Sequence, residues 1–353
     1  MAQVVLLSAT PEGGESEEAL EPLLDLRERA TRDKFGIHSV TSDPDAADII
    51  LFVERYGAGW YFARVRRHPL LRKHREKCFI FCSNPFVIPL LPGIYTGVER
   101  RWASRRTVSG FYLGVPKNPF TTFTPPSDDL PYLYSFMGSL RNSEVRQRIG
   151  RLEHARGFVQ DTAADYTRVL HRQMDARERL DYHRRYAEAT KASKFVLCPR
   201  GLSASSIRLF ETMRMGRAPV ILSDDWVEPP GPGWDRFAIR VREADCAKIP
   251  QMLEEREQDA VAMGELARAQ WLEWFSEEAA FHRVVEWCLA LQRQRRVPEA
   301  IARWPVYLQF LRRFHLRRIA GVALRSIRGS GAPVTNASAA APDRRVREQG
   351  SGL

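Results

Sequence analysis

The residues of this chain best suited to chemistry crowd into one short stretch: Arg200, Gly201, Ser205, Ser206, Arg208 and Glu211. Guanidinium groups, hydroxyls and a glycine are what a phosphate or pyrophosphate requires, and a carboxylate further along is suited to sugar hydroxyls. The flanking residues say what positions them. Lys194 to Cys198 is a short apolar run of the kind a buried parallel strand shows, and Pro199, Gly201 and the serines break it. Ser205 or Ser206 can N-cap a helix in which Ile207, Leu209, Phe210 and Met213 recur at helical spacing. Gly216 closes that helix, and Ala218 to Ser223 returns as a strand. The spacing therefore predicts a βαβ unit whose strand-to-helix turn offers backbone N–H groups to an anion. Arg208 falls in the first helical turn, where a cation opposes the helix dipole unless an anion lies nearby. The competing role for Arg208 is a structural ion pair with Glu211.

The same organisation extends through the chain. Val4 to Ser8, Asp48 to Val53 and Cys78 to Cys82 read as short strands alternating with helical stretches at Glu17 to Ala30 and Tyr61 to Lys77. The Pro-rich, polar residues from Pro116 to Pro131 are the best linker candidate. A second alternation runs from Tyr132 to about Glu254, followed by Trp-rich helical segments at Arg256 to Phe275 and Glu277 to Gln294 that are expected to brace the two domains. The chain of 353 residues, with 44% hydrophobic and 27% charged, is long enough and apolar enough for two separate cores. The expected division is 1–125, a first α/β domain; 131–255, a second α/β domain; 256–328, C-terminal helices; and 329–353, a disordered tail. No internal repeat is evident.

Cys198-Pro199-Arg200-Gly201, then Ser206-x-Arg208-Leu209-Phe210-Glu211, then Gly216-x-x-Pro219-Val220-Ile221-Leu222-Ser223-Asp224-Asp225-Trp226 with Trp234-Asp235-Arg236-Phe237 following, resembles the C-terminal half of the exostosin family, glycosyltransferase family 47. Phe136-Met137-Gly138-Ser139, followed by a helix carrying Val145-Arg146, resembles the start of that half. The resemblance is strong over Tyr132 to about Leu253, weaker over Asp45 to Tyr112, and absent from the C-terminal end. It implies α/β architecture of the GT-B type, two Rossmann-like domains facing a cleft, with a nucleotide-sugar donor held mainly by the second. It further implies inversion of the anomeric carbon by direct displacement, with a base from the N-terminal side. The nucleotide sugar is a substrate, with UDP the expected nucleotide; no cofactor and no metal are expected, and the acceptor would be a polysaccharide, glycolipid or other lipid-linked glycan.

On this reading Arg200 and Arg208 compensate pyrophosphate charge, Glu211 contacts ribose or sugar, and Gly138, Ser139 and Arg141 form a second turn opening into the same cleft. Asp224-Asp225 lacks the intervening residue of a metal-binding DxD motif, so Asp225 is taken as a donor-contacting loop residue. Trp226 and Trp234 stand equally as stacking or core residues. Glu54 is the candidate base, since it follows the strand ending at Val53 and precedes the Tyr56-Gly57-Ala58-Gly59 loop. His68 and His74 lie in a basic segment that reads as a solvated helix.

Of the net charge of +11, residues 301–330 contribute seven arginines and no acid. That localises the excess and argues against a protein-wide nucleic-acid surface. Residues 306–328 read as basic amphipathic helices, either lying on anionic lipid or packed back on the protein. The five cysteines form no CxxC pair and no metal-ligand spacing with His, and read as buried free thiols. With no apolar run long enough to span a bilayer and no leader-like N-terminus, the expectation is a cytoplasmic protein, peripheral on the inner membrane face, and a bacterial relative of the family. Three other readings stay open: a catalytically silent glycan-binding scaffold; an α1,3-fucosyltransferase using GDP-fucose, whose acidic E-N-S and T-E-K elements this chain lacks; and an RNA- or membrane-tethering protein led by its Arg-rich C-terminal end.

Overall fold

The computed structural model describes residues 1–10, 17–55, 60–84, 88–115, 117–170 and 173–307. Met1–Ala300 form one compact unit and Ile301–Leu353 another. Of the second unit only its first residues are described, so nearly all of the basic segment 306–328, and the tail 329–353, lie outside the described residues, as does the 56–59 loop.

Eleven strands build two sheets among the described residues: β1 Gln3–Leu7, β2 Ser39–Val40, β3 Ile49–Glu54, β4 Cys78–Cys82, β5 Gly93–Tyr95, β6 Thr107–Ser109, β7 Tyr132–Gly138, β8 Gly157–Asp161, β9 Ser193–Pro199, β10 Ala218–Leu222 and β11 Ile239–Arg240. The first sheet has the order β2-β1-β3-β4-β5-β6, the second β11-β10-β9-β7-β8, and every strand pairing in both is parallel. Two parallel Rossmann-like sheets give the GT-B class implied by the resemblance. In each sheet the strand order reverses once, between β1 and β3 in the first and between β7 and β9 in the second. Ligands of open α/β sheets bind outside the carboxyl ends of the strands at such reversals. β3, β4, β9 and β10 are buried along their whole length, which is why they read as continuous apolar runs.

The α-helices of five or more residues among the described residues are α1 Glu21–Thr31, α2 Ala63–Arg67, α3 Pro69–Lys73, α4 Glu144–Ile149, α5 Ala163–Leu170, α6 Ala176–Lys191, α7 Ile207–Met215, α8 Ile249–Glu254, α9 Ala260–Trp274 and α10 Ala280–Arg293. The single helix expected over Tyr61 to Lys77 is instead broken: Pro69 opens α3 and holds His68 extended at φ −62°, ψ 135°. The linker expected at Pro116 to Pro131 is tied down rather than free. Asn118 Nδ2 donates to the His183 carbonyl at 2.9 Å, and the Thr124 carbonyl accepts from Arg217 Nη1 at 2.7 Å. Arg217, 1% exposed, also donates to the carbonyls of Lys191, Met215 and Gly216.

The Trp-rich helices brace the halves as expected. Phe275, between α9 and α10, packs its ring 5.7 Å from Phe111 of the first half and 5.0 Å from Phe210 of the second, with Trp234 at 6.0 Å. One apolar core thus runs from Val4, Ile49 and Phe81 through Phe275 to Met213, Ile221 and Trp226. Trp226 and Trp234 are core residues, 1% and 4% exposed. All five cysteines are free and buried. Among the described residues no helix is long and apolar enough to cross a membrane.

Candidate functional site

A cavity of about 410 Å³ opens at the reversal between β7 and β9. Its second-half wall is made of two loops. Gly138 and Ser139 follow β7, and Gly201 to Ser206 follow β9 and lead into α7. Ser83, Thr96, Gly97 and Tyr112 of the first half face them, and α6 adds Tyr182, His183 and Tyr186.

The electrostatics centre on two arginines. Arg208, on the first turn of α7, is 8% exposed and lies 4.4 Å over the Phe136 ring, with one Nη donating to the Met137 carbonyl. Its Nε is buried without a partner, and no ion pair joins it to Glu211 among the described residues, because a Glu211 oxygen accepts instead from the Tyr186 hydroxyl at 2.6 Å. Arg146, on the first turn of α4, lies 5.5 Å over the Phe136 ring and donates to the carbonyls of Arg200 at 2.9 Å and Ser139 at 3.2 Å. A glycine makes room for each guanidinium: a Cβ on Gly138 would come 2.7 Å from Arg208 Nη2, and one on Gly201 would come 3.2 Å from Arg146 Nη2. Ser206 is the N-cap residue of α7 but its side chain accepts no capping bond, so the first N–H groups of the helix remain for solvent or a ligand. Gly216 ends α7 at φ +75°, as its position requires.

Burial raises the Glu211 carboxyl above its usual range, while the Tyr186 hydroxyl and the nearby Arg208 oppose the shift. Burial, with Arg179 beside it, lowers His183, so its imidazole is neutral near pH 7. Burial raises the Tyr112 phenol, while Ser205, Ser203 and Arg146 beside it oppose the shift. A buried guanidinium whose hydrogen bonds run to a neutral carbonyl is arranged for an anion, and Arg146 beside it doubles that charge.

Residues 121–256 match the family described as the exostosin GT47 domain. That stretch of the chain is therefore similar to an exostosin domain. A curated relative, the Exostosin-1 homolog of Caenorhabditis elegans, is 33% identical over 132 residues, 35% of this chain and 35% of that protein. Exostosin-1 of Drosophila melanogaster is 28% identical over 157 residues, 40% of this chain and 21% of that protein. The chain thus spans about a third and a fifth of the lengths of these two relatives. Among solved structures, Anabaena Alr3699/HepE in complex with UDP-glucose superposes with a TM-score of 0.42 at 10% identity, over 81% of this chain and 99% of that one.

Within the matched stretch the structure brings Gly138, Ser139, Gly201, Ser205, Ser206, Arg208 and Glu211 together around the cavity. It sets three of the residues read as donor contacts elsewhere. The Arg200 side chain turns to Asp225 at 3.3 Å and Glu243 at 3.8 Å, and its backbone carbonyl serves the site instead by receiving Arg146 and the Ser143 hydroxyl. Asp225 is therefore the partner of Arg200, and its carbonyl receives the Arg100 N–H at 2.8 Å. Arg141 is exposed and does not line the cavity.

Glu54, expected as a strand-end carboxylate facing the crevice, ends β3 at the reversal point of the first sheet but is fully buried. Its carboxylate accepts from the Ala9 N–H at 2.6 Å, the Ser8 hydroxyl at 3.0 Å and the Thr10 hydroxyl at 3.3 Å, and burial raises it to about 6. It does not line the cavity; its carbonyl receives at 3.1 Å the N–H of Ser83, which does. The sequence reading missed Arg146 as a site residue, together with Tyr112, Tyr182, His183 and Tyr186. For α6 a signal was present: Asp175 and Glu178 form a capping box, and Tyr182 and Tyr186 follow at one helical repeat.

Proposed function

We propose that this chain is a glycosyltransferase that takes a nucleotide sugar, with UDP the expected nucleotide, and passes its glycosyl group to a glycan or lipid-linked acceptor. The observation that carries the reading is the pair Arg146 and Arg208, each seated against a glycine at the reversal point of a parallel sheet inside the stretch similar to an exostosin domain. As the nucleoside diphosphate leaves, negative charge gathers on its terminal phosphate, and two fixed cations with the α7 N-terminus stabilise it without having to reorganise. In this reading the arginines and the helix dipole stand where other glycosyltransferases use a divalent ion. Glu211, oriented by Tyr186, accepts hydrogen bonds from ribose or sugar hydroxyls.

The transfer is a direct displacement with inversion. An acceptor oxygen bonds to the anomeric carbon as the bond to the phosphate oxygen breaks, and the acceptor proton goes to a base. We assign that role to His183 in preference to Glu54, because His183 is the neutral imidazole lining the cavity whereas three donors already hold the Glu54 carboxylate. The test is thermal scanning and calorimetry against a panel of nucleotides and nucleotide sugars. Selective stabilisation by one nucleotide, lost in Arg208→Ala, is expected; no shift with any of them at millimolar concentration would remove the donor site and favour a silent scaffold.

A further inference from the structure

A second cluster lies away from the cavity, where α10 packs beside the segment entering β2. His282 and Glu286 are one helical repeat apart on α10, and His38 comes to them from a distant part of the chain. One ligand atom from each of the three falls within 4.8 Å of the others. Both rings are more than nine-tenths buried, at 8% for His38 and 7% for His282, with centroids 4.9 Å apart. Neither Nδ1 has a protein partner, and Asp33 Oδ1 beside them has none either. Leaving a buried polar atom unpartnered is destabilising, so this pocket holds groups that something else must satisfy.

We propose that His38, His282 and Glu286 form a binding site for a divalent transition metal of the zinc class, fastening α10 to the segment before β2. Two imidazoles and one carboxylate are the donor set of a borderline-soft cation, not of calcium or magnesium, which want oxygen. The His38 Nε2 to Glu286 Oε1 separation is 3.0 Å. Ligand atoms about 2.0–2.1 Å from zinc at the tetrahedral angle lie about 3.3 Å apart, so the metal replaces the proton of that bond with little movement. Glu286 is 38% exposed on a helix surface, and its carboxylate can swing to close the remaining distance. Phe35, stacked 4.2 Å from the His282 ring, fixes that ring in place.

The full chain, dialysed against a chelator, is titrated with Zn²⁺ and with Co²⁺, and Mg²⁺ serves as the control. The expected result is one equivalent of zinc bound, a visible four-coordinate cobalt spectrum, and a melting point a few degrees higher with zinc than with magnesium. Glu286→Gln, which keeps the size of this part-exposed side chain, should weaken zinc at least about tenfold, and His38→Gln with His282→Gln should remove the site. Wild type that binds no stoichiometric zinc, or Glu286→Gln and the double variant binding zinc as tightly as wild type, would overturn the proposal.

Discussion

Arg208 and its seat against Gly138 fix what to expect at single positions. Arg208→Ala should leave a folded protein whose nucleotide affinity falls by about 1.5–3 kcal/mol, the worth of hydrogen bonds to a charged group, measurable by calorimetry. Gly138→Ala should weaken the same ligand without touching it, because the new methyl group meets the Arg208 guanidinium where Phe136 already packs it; unchanged affinity would mean the guanidinium has another place to go. Glu54 gives a pH signature. Its carboxyl rises from 4.5 to about 6 on folding, so the folded state holds the proton more tightly and ionisation costs stability. The stabilising difference is present at and below the unfolded value and is lost as pH climbs through the folded one, by about 2 kcal/mol between pH 4.5 and 7. Glu54→Gln should flatten that slope in denaturation midpoints taken across the window, and on the geometry described it should reduce turnover far less than His183→Gln.

At the level of elements, the clearest expectation concerns Arg217. Replacing it with Ala would strip donors from buried carbonyls on the linker, α6 and the end of α7 together, and should cost about 3–5 kcal/mol, read as a fall in urea midpoint. The βαβ unit from β9 through α7 to β10 was legible because periodicity, a breaker and a closing glycine agree on it. Gly138 and Ser139 were legible only through their resemblance, since a glycine and serine before a helix are common. Arg146 stood in the sequence only as part of the resembling segment Val145-Arg146, with nothing local to mark its side chain for the site. It becomes a site residue only when the Arg200 carbonyl, from a strand far along the chain, arrives to hold it. Arg200 misled for the converse reason, its side chain being drawn off by Asp225 and Glu243, which the strand order brings alongside. The His38 cluster is likewise a product of tertiary packing, and only the His282 to Glu286 half of it has a spacing visible in sequence.

For the whole molecule, the joint between the sheets is the feature with the widest reach. Phe275→Ala would open a void touching Phe111, Phe210 and Trp234 at once and should lower stability by about 3–5 kcal/mol, with donor affinity reduced as the halves lose their common support; calorimetric melting with and without nucleotide would separate the two effects. The boundaries of the exostosin match, 121 and 256, fall on either side of sequence that has its own motifs and its own sheet. They are nevertheless not the boundaries of something that can exist alone. Phe210 and Trp234 spend their apolar surface on Phe275, beyond the C-terminal end of that stretch, and Phe111, before its start, closes the same cluster. Excised from its neighbours, the stretch most readily recognised in sequence would expose that surface as a sticky patch and be recovered as aggregate, so that the portion carrying the family likeness is inherited only together with parts that do not.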